Sequence, residues 1–186
     1  MDENQVVKAV LAGDKNAFAT IIDKYKNPLY NTILRMVKNP HLAQDLTQEV
    51  FIKVYKQLPK YALGTNFKSW LYRIATNYCI DYLRKKQPPQ VDLEVVEQAS
   101  ESANHPEVIL MKKEKQRTLE KLVTQLPPDE RAIILMRYVN DLTYEEIAEC
   151  LGLSANDVGN KVYRAKQKMR KQIKEGGDLY DMYQRG

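Results

Sequence analysis

The chain has 186 residues, enough for one ordinary domain or two small ones. Its composition of 44% apolar and 28% charged residues is typical of a globular protein. Only seven residues are glycine, which argues against a turn-rich β protein. The sequence contains no Gly-rich phosphate-binding motif, which argues against a nucleotide-binding loop. The net charge of +5 is too mild to indicate a partner until its distribution along the chain is known.

No apolar run approaches the 18 residues of a membrane span, and the acidic, polar N-terminus is unlike a signal peptide. We therefore expect a protein that is not itself a membrane protein and stays in the cytoplasm. Cys79 and Cys150 lie 71 positions apart without a CxxC motif, so we interpret both as reduced core thiols.

Prolines divide the chain into candidate helices, because proline is tolerated in a first helical turn but breaks a helix interior. A short helix is expected to end near Gly13, and a long one to cover residues 16–38, kinked or divided at Pro28. Asn39-Pro40 resembles an N-cap followed by proline at the first helical position, and four-residue apolar spacing continues that helix to Pro59. A further helix is predicted over residues 69–86.

The segment from residue 87 to 106 contains three prolines and four acids but no Lys or Arg, which is typical of a flexible acidic linker. A long surface loop inside one domain is the alternative. Helices follow at about 107–125 and 130–138, then two shorter elements and a basic tail helix. We predict an all-α protein of two small domains, residues 1–87 and 107–175, with a linker over 88–106 and a tail over 176–186 that docks on a partner or is disordered.

The second domain carries the pattern of a helix-turn-helix. Thr143 and Glu146 form a capping-box pair, Gly152 can turn the chain between two close helices, and Ser154 can cap the second helix. Ala148 is the small residue where the helices cross, and apolar residues recur on the second helix at Val158, Val162 and Ala165. The second helix would enter the major groove of DNA.

Charge supports this prediction. Residues 160–174 contain seven Lys or Arg and no acid, which is the pattern of a phosphate-binding surface beside a recognition helix. A solvated face on an ordinary helical hairpin is the alternative.

The first domain interleaves aromatic and basic residues between Tyr61 and Lys86, where five cations face one acid. Rings that stack on bases and cations that follow phosphates are what single-stranded nucleic acid binding needs. Phe67 and Trp70, beside a flexible Leu63-Gly64-Thr65 turn, are the best candidates for base contact, although some of these aromatics must belong to the core. The preceding helix presents a different polar face with Asp45, Gln48, Glu49 and Lys53.

These residues match a family. The stretches DLTQEVF (45–51) and FKSWLYRIATN (67–77) resemble conserved region two of bacterial sigma factors. Leu126-Pro127, Arg131, LTYEEIA (142–148) and Arg164-Ala165 resemble region four. Two motif blocks in this order, on a short chain with a linker in place of region three, resemble an extracytoplasmic-function (ECF, group IV) sigma factor over residues 1–174.

The resemblance implies partners and site residues. Region two would dock on the β′ clamp helices of the RNA polymerase core, and would melt and read the minus-ten promoter element. Region four would read the minus-thirty-five element as duplex and contact the β flap. The core-binding candidates are Asp45, Gln48, Glu49, Phe51 and Lys53. The minus-ten candidates are Tyr61, Asn66, Phe67, Lys68, Trp70, Arg73, Asn77, Arg84, Lys85 and Lys86. The minus-thirty-five candidates are Ser154, Asn156, Asp157, Asn160, Lys161, Arg164 and Lys168. The acidic linker would run toward the RNA exit channel.

The resemblance also implies an anti-sigma factor, since such factors are usually held inactive by one that is often anchored in the membrane. We expect the free chain to be a monomer. The sequence departs from the family at the start of the recognition helix, where Gly159 replaces a usual cation and Asp157 adds a charge that repels phosphate. Acceptance by Asp157 from a cytosine amino group is the alternative.

Two other functional classes are alternatives. A stand-alone helix-turn-helix regulator, with the first domain for dimerisation or ligand binding, would bind duplex tightly without polymerase. A nucleic-acid enzyme is poorly supported, since the only histidines, His41 and His105, have no metal-spaced partner and no two-metal carboxylate cluster is evident. We therefore expect no catalytic residues, no metal and no cofactor.

Overall fold

The computed structural model describes residues 2–85 and 106–175, with side chains described for 2–85 and 116–174. In these two ranges all regular structure is helical, as the sequence predicted. The α-helices are α1 (Glu3–Leu11), α2 (Phe18–Val37), α3 (Pro40–Gln57), α4 (Phe67–Lys85), α5 (Pro106–Gln125), α6 (Pro128–Tyr138), α7 (Tyr144–Leu151) and α8 (Ala155–Glu175), and short 3-10 turns cover Lys15–Ala17 and Leu58–Lys60. The predicted linker and tail lie almost entirely outside the described residues.

Local signals explain where several helices begin and end. The Asp2 side chain accepts from the Asn4 backbone at the start of α1, and the Asn39 side chain accepts from Leu42 at the start of α3, where Pro40 occupies the first turn. The chain leaves α1 through Gly13 at φ +109, in the left-handed region that favours glycine. The cap predicted at Asn39 and the turn predicted near Gly13 are therefore confirmed.

Helix α2 passes through Pro28 without ending. The sequence predicted that Pro28 would kink or divide this helix, and the division is wrong. Proline removes one backbone donor, but flanking burial of Tyr25, Leu29 and Ile33 holds both halves against the same core. The hydroxyl of Thr32 also donates to the Pro28 carbonyl at 2.9 Å, one turn earlier in the same helix.

The helices form two bundles that share one continuous core. Helices α1–α4 enclose buried side chains such as Leu29, Val50 and Leu71, while α5–α8 enclose Met136 and Ile147. Each large aliphatic side chain buried in this way contributes about 1.5–3 kcal/mol to stability. Because the two cores are contiguous, α4 packs directly against α6 and α7. The division into two separate domains stays a prediction.

Both cysteines are buried and carry free thiols, as the sequence predicted. Among the described residues, none of the helices is long and apolar enough to cross a bilayer.

Candidate nucleic-acid interface

Four aromatic rings cluster where α4 begins. Tyr61 lies 5.4 Å from Phe67 and 5.1 Å from Trp70 between ring centroids, Phe67 and Trp70 lie 5.6 Å apart, and Tyr25 of α2 lies 5.9 Å from Phe67. Tilted and edge-on contacts at these distances are favourable aromatic geometries. Phe67 and Trp70 are only 3% and 9% exposed, so their rings are occupied by one another. Their contact with bases stays a prediction, and it would require a base to reach the rim of the cluster or to part it.

The loop before α4 is exposed and tightly folded. Gly64 adopts φ +92, and both the backbone nitrogen and the hydroxyl of Thr65 donate to the Ala62 carbonyl, at 3.2 and 2.7 Å. Leu63 presents its side chain to solvent, 46% exposed. The Asn66 side chain caps α4 by accepting from the Ser69 backbone at 3.2 Å. The loop therefore offers an exposed surface on a defined backbone next to the aromatic cluster.

The polar candidates on α4 face in different directions. Arg73 and Lys85 are exposed, whereas Lys68 is half-buried beside a pocket that also contains Glu3 and Tyr72. Lys86 lies outside the described residues. The exposed cations on this helix give it the charge that a phosphate backbone requires.

Three minus-ten candidates instead contact the second bundle. The Asn66 amide donates to Glu146, the Asn77 amide donates to the Cys150 carbonyl at 3.4 Å, and the Arg84 guanidinium donates to both carboxylate oxygens of Asp129, at 2.9 and 3.0 Å. Helices α6 and α7 thus cover part of the predicted DNA-reading face of α4.

A buried thiol continues this contact. The Cys150 thiol donates to the Ser69 carbonyl at 3.3 Å. Burial raises the pKa of Cys150 to about 12, because the thiolate would lose its hydration, so the thiol keeps the proton that it donates. Cys79, also buried, has its pKa raised to about 12 for the same reason. Neither has the depressed pKa of a reactive cysteine.

Polar contacts also join the bundles away from α4. The Arg131 guanidinium donates to the carbonyls of Met36, Thr124 and Leu126, which lie at or near helix ends. The Asn140 amide donates to the buried Thr32 hydroxyl at 3.0 Å. Burial lowers the pKa of Arg131 to about 10, which still leaves the side chain charged at neutral pH.

The predicted polymerase-binding face of α3 is only partly on the surface. Asp45, Gln48 and Glu49 are exposed, and Lys53 is half-buried with its ammonium 4.5 Å from the centre of the Tyr78 ring. Phe51 is 7% exposed and belongs to the core. It can support the acidic face from behind but does not present its ring to a partner in this structure.

The helix-turn-helix forms as the sequence predicted. Thr143 and Glu146 make both hydrogen bonds of a capping box, and Gly152 ends α7 in the left-handed conformation at φ +65. The Ser154 hydroxyl accepts from the Asp157 backbone at 3.0 Å at the start of α8. Val158, Val162 and Ala165 are fully or almost fully buried against the rest of the bundle.

The recognition helix α8 presents its candidates to solvent. Ser154, Asn156, Asp157, Asn160, Arg164 and Lys168 are exposed, and Lys161 is half-buried. The Asp157 carboxylate accepts from the Ser154 hydroxyl at 2.6 Å, and this hydrogen bond, with one from the Ser154 backbone, lowers the pKa of Asp157. Asp157 therefore caps its own helix. Lys168 is paired with Glu130 of α6 at 2.6 Å.

The comparisons with known proteins decide between the two DNA-binding classes. The family description "Sigma-70 region 2" matches residues 21–88, and "Sigma-70, region 4" matches residues 116–169. Over 178 residues the chain is 34% identical to the ECF RNA polymerase sigma factor SigW of Bacillus subtilis, covering 91% of this chain and 95% of that one. The RNA polymerase sigma-H factor of Pseudomonas aeruginosa is 31% identical, over 92% of this chain and 93% of its own.

The chain belongs to the ECF sigma factors. A solved structure of CnrH in complex with the cytosolic domain of CnrY shares this fold with a TM-score of 0.68, at 19% identity, over 92% of this chain and 97% of that one. The sigma factor RpoE of Bartonella quintana, solved in complex with the anti-sigma factor NepR, has the same TM-score at 18% identity, over 84% and 96%. These two matches bear on the fold.

The family matches assign the helices of this sigma factor to its two conserved regions. Region two contains α2–α4 with the aromatic cluster, the exposed loop and the acidic face of α3, and region four contains the helix-turn-helix. Helix α1 lies before the matched part of region two. Sequence reasoning did not find the contacts of α1, nor those of Asp129, Arg131 and Asn140 with region two, because partners so distant in sequence leave no local pattern. In the described part of the chain, no group of three or more His, Cys, Asp or Glu could hold a metal ion.

Proposed function

We propose that this sigma factor directs the RNA polymerase core to promoters by dividing recognition between its two regions. Region four grips the minus-thirty-five element as duplex through α8, and region two captures unpaired bases of the minus-ten element at the loop before α4. The polymerase catalyses RNA synthesis, so the chain itself is not an enzyme. It works in the cytoplasm. The observation that carries this proposal is the pairing of an exposed basic recognition helix with an exposed loop on an aromatic cluster.

The acidic face of α3 is the proposed contact with the β′ clamp helices. Asp45, Gln48 and Glu49 are exposed together on this helix, so they can meet a basic partner without unfolding region two. Phe51, which is buried in the core, would act indirectly by fixing the position of α3.

A groove in region four is the proposed contact with the β flap. It encloses about 370 Å³ between α5, α6 and α8, and its wall includes Leu119, Val123, Tyr138, Val139 and Met169. Exposed apolar surface of this kind, with Tyr138 half exposed, is typical of a protein-binding site. Arg35 of α2 also lines the groove, so one rim is lost when the regions separate.

Promoter binding requires that α7 leave α4. Asn66, Asn77 and Arg84 are engaged by region four in this structure, and the same groups cannot contact DNA at the same time. We propose that the arrangement described here is a closed form of the free monomer, and that polymerase and promoter bind an open form.

An anti-sigma factor, anchored in the membrane, is the proposed regulator. The fold match to RpoE of Bartonella quintana, which was solved with an anti-sigma factor, supports this partner. Affinity purification of the tagged chain from solubilised membranes, followed by release on adding core polymerase, would test it. Recovery of the chain without a membrane protein would contradict the anchoring.

The central test combines the protein with core polymerase and sequences the transcripts that start. We expect initiation at a defined set of promoters, and a gel shift on those promoters that depends on core enzyme. A tight shift without core enzyme would favour a stand-alone regulator.

Charge reversals at two exposed helix positions distinguish the proposed polymerase-binding surface of α3 from the proposed minus-ten-binding surface of α4. Glu49→Lys should weaken the pull-down of core polymerase, because it reverses the acidic face of α3. Arg73→Glu should leave the pull-down intact and reduce permanganate reactivity of the minus-ten thymines, because it repels phosphate. Trp70→Ala is a poorer probe, since Trp70 is buried and its loss costs about 3–5 kcal/mol of stability. If the two reversals behaved alike, the assignment of surfaces would be wrong.

A further inference from the structure

The loop that follows Tyr61 is held by a side chain from the N-terminal helix. The Asn4 side-chain oxygen accepts from the Gly64 backbone at 2.9 Å and lies 3.0 Å from the Tyr61 hydroxyl. The Tyr61 hydroxyl also donates to the Thr65 carbonyl at 2.5 Å, so its single proton is shared between two acceptors. Asn4 thus binds the middle of the loop directly and one end of it through Tyr61.

Asn4 is itself well fixed. Its backbone donates to the Asp2 carboxylate at 3.0 Å, and α1 is anchored by the buried side chains of Val6, Val7 and Val10. The neighbouring Glu3 binds Lys24 and the Tyr25 hydroxyl of α2. A side chain held by such a supporting shell can impose a conformation on a loop.

The loop needs this support. Gly64 lies at φ +92 and is exposed, and the other hydrogen bonds of the loop join Thr65 to Ala62 and to the Tyr61 hydroxyl, so none of them holds the Gly64 amide. Without Asn4, the Gly64 amide would be left to solvent and the glycine would be free to adopt other conformations. The Tyr61 ring, which packs on Phe67 and Trp70, would lose one of its two polar contacts.

We propose that Asn4 is a positioning residue for minus-ten recognition: its amide oxygen fixes the Leu63-Gly64-Thr65 turn in the conformation that receives an unpaired base. This inference rests on the proposed function of region two. It assigns a role in promoter reading to a residue that precedes the matched region, which begins at residue 21.

The test compares Asn4→Leu, which keeps the side-chain size and removes the acceptor, with Asn4→Asp, which keeps an acceptor oxygen. Each full-length variant is combined with core polymerase on a promoter identified with the wild-type chain, and on the same promoter substituted singly at each minus-ten position. The readout is the largest ratio of initiation rates between the original and a substituted base. Because this ratio compares promoters within one variant, the added charge of Asn4→Asp and any loss of active protein cancel from it.

We expect Asn4→Leu to lower this base preference about fivefold, the effect of losing one hydrogen bond of ordinary strength, and Asn4→Asp to keep it within about twofold. Core-polymerase pull-down should be unchanged in both. A preference unchanged in Asn4→Leu, whatever its overall activity, would show that Asn4 is merely structural and overturn the proposal. Loss of preference in both variants would also overturn it, since the acceptor would not be the deciding group.

Two controls keep the outcome decisive. If circular dichroism shows that Asn4→Leu is unfolded, Asn4→Ala, which removes the acceptor and favours helix, replaces it under the same criterion. If the wild-type chain does not start transcription with core polymerase, the proposed function fails. If the wild type initiates but its preference survives Asn4→Leu, only the role of Asn4 fails.

Discussion

At the scale of single residues, the departures from the family pattern in α8 have local structural explanations. Asp157 forms a reciprocal cap with Ser154, accepting from its hydroxyl at 2.6 Å while its own backbone donates to that hydroxyl at 3.0 Å. Its negative charge also lies at a helix N-terminus, where it is favourable. The cost of this arrangement is a carboxylate facing the DNA that α8 is proposed to read.

Gly159 is the second departure, and it weakens the helix. A Cβ built at this position would lie 3.6 Å from the Tyr144 ring, an ordinary van der Waals distance. We predict that Gly159→Ala raises the free energy of unfolding by up to about 1 kcal/mol, because alanine gains helix propensity without a clash. Urea denaturation of the full chain measures this change.

Gly152→Ala is the matched control, since Gly152 adopts φ +65 and alanine is strained there. It should destabilise the chain. A Gly159→Ala variant that was also destabilised would contradict the prediction and would imply that the glycine is needed for packing.

Glu3 makes the stability of the fold depend on pH in the acid range. Burial alone would raise the pKa of Glu3, but hydrogen bonds from Lys24 and Tyr25 outweigh it and lower the pKa from 4.5 to about 2. Burial of the ring, together with the hydrogen bond to Glu3, raises the pKa of Tyr25. A carboxylate with a depressed folded-state pKa stabilises the fold above its unfolded-state pKa, and this contribution is lost as pH falls from about 4.5 toward 2.

We therefore predict that Glu3→Gln destabilises the chain at pH 6 and that this difference shrinks steadily as the pH falls below 4.5. Urea denaturation at a series of pH values measures it. Asp23→Asn is the control, because Asp23 and Lys26 form an exposed pair in one helix and such pairs contribute little. A difference between Glu3→Gln and the wild type that did not change with pH would contradict the prediction.

At the scale of elements, what the sequence could predict depends on how far apart the partners are. The caps at Asn39, Thr143 and Ser154 lie within three residues of their partners, so their residue types alone predicted the helix starts correctly. By contrast, Gly64 and Asn4 are 60 positions apart, and no periodicity connects them.

Trp70 shows the same limit within one helix. The sequence predicted Trp70 as a base contact, but the loop residue Tyr61 and Phe67 cover it and bury it. A helical pattern predicts which residues share a face, whereas the surrounding loops decide which faces are covered.

Arg131 connects three elements through one side chain. Its guanidinium donates to carbonyls at the ends of α2 and α5 and in the turn before α6. The last carbonyls of a helix have no backbone N–H donor within that helix, so they need a partner from elsewhere. We predict that Arg131→Met, which keeps the length of the side chain, lowers the free energy of unfolding by at least about 3 kcal/mol, because a buried acceptor left unpaired costs about 1–3 kcal/mol.

Thermal and urea denaturation would measure the loss, and Arg131→Lys should recover only part of it, since one ammonium does not reproduce the fork of a guanidinium. Arg164→Met, on the exposed face of α8, is the control and should change stability by less than about 0.5 kcal/mol. An Arg131→Met variant as stable as the control would mean that water replaces the guanidinium.

At the scale of the whole molecule, the charge distribution shows which proposed DNA-binding groups are neutralised in the closed form. The net charge of +5 conceals a basic surface on α4, a basic α8 and acids on the helices between them. Asp129 pairs with Arg84, and Glu130 pairs with Lys168. The side chains proposed to bind promoter phosphates are thus partly neutralised by carboxylates of α6. Exposed pairs of this kind are weak, so the buried contacts around Cys150 and Arg131 must hold the regions together.

The closed form can be opened at Cys150, which is 4% exposed and contacts Ser69 of α4. We predict that Cys150→Lys separates the regions, because an ammonium buried at this contact would lose its hydration at a cost of several kcal/mol. The radius of gyration, measured by X-ray scattering, should rise well above the roughly 16 Å of a compact chain of this length. Binding of a single-stranded minus-ten oligonucleotide, measured by fluorescence anisotropy, should tighten, because Asn66, Asn77 and Arg84 lose their hydrogen-bond partners in region four and can pair with DNA instead. Glu149→Lys adds the same side chain at the exposed neighbouring position of α7 and should change neither quantity. If Cys150→Lys left both measurements unchanged, the contact at Cys150 would not restrain promoter binding and the prediction would be wrong.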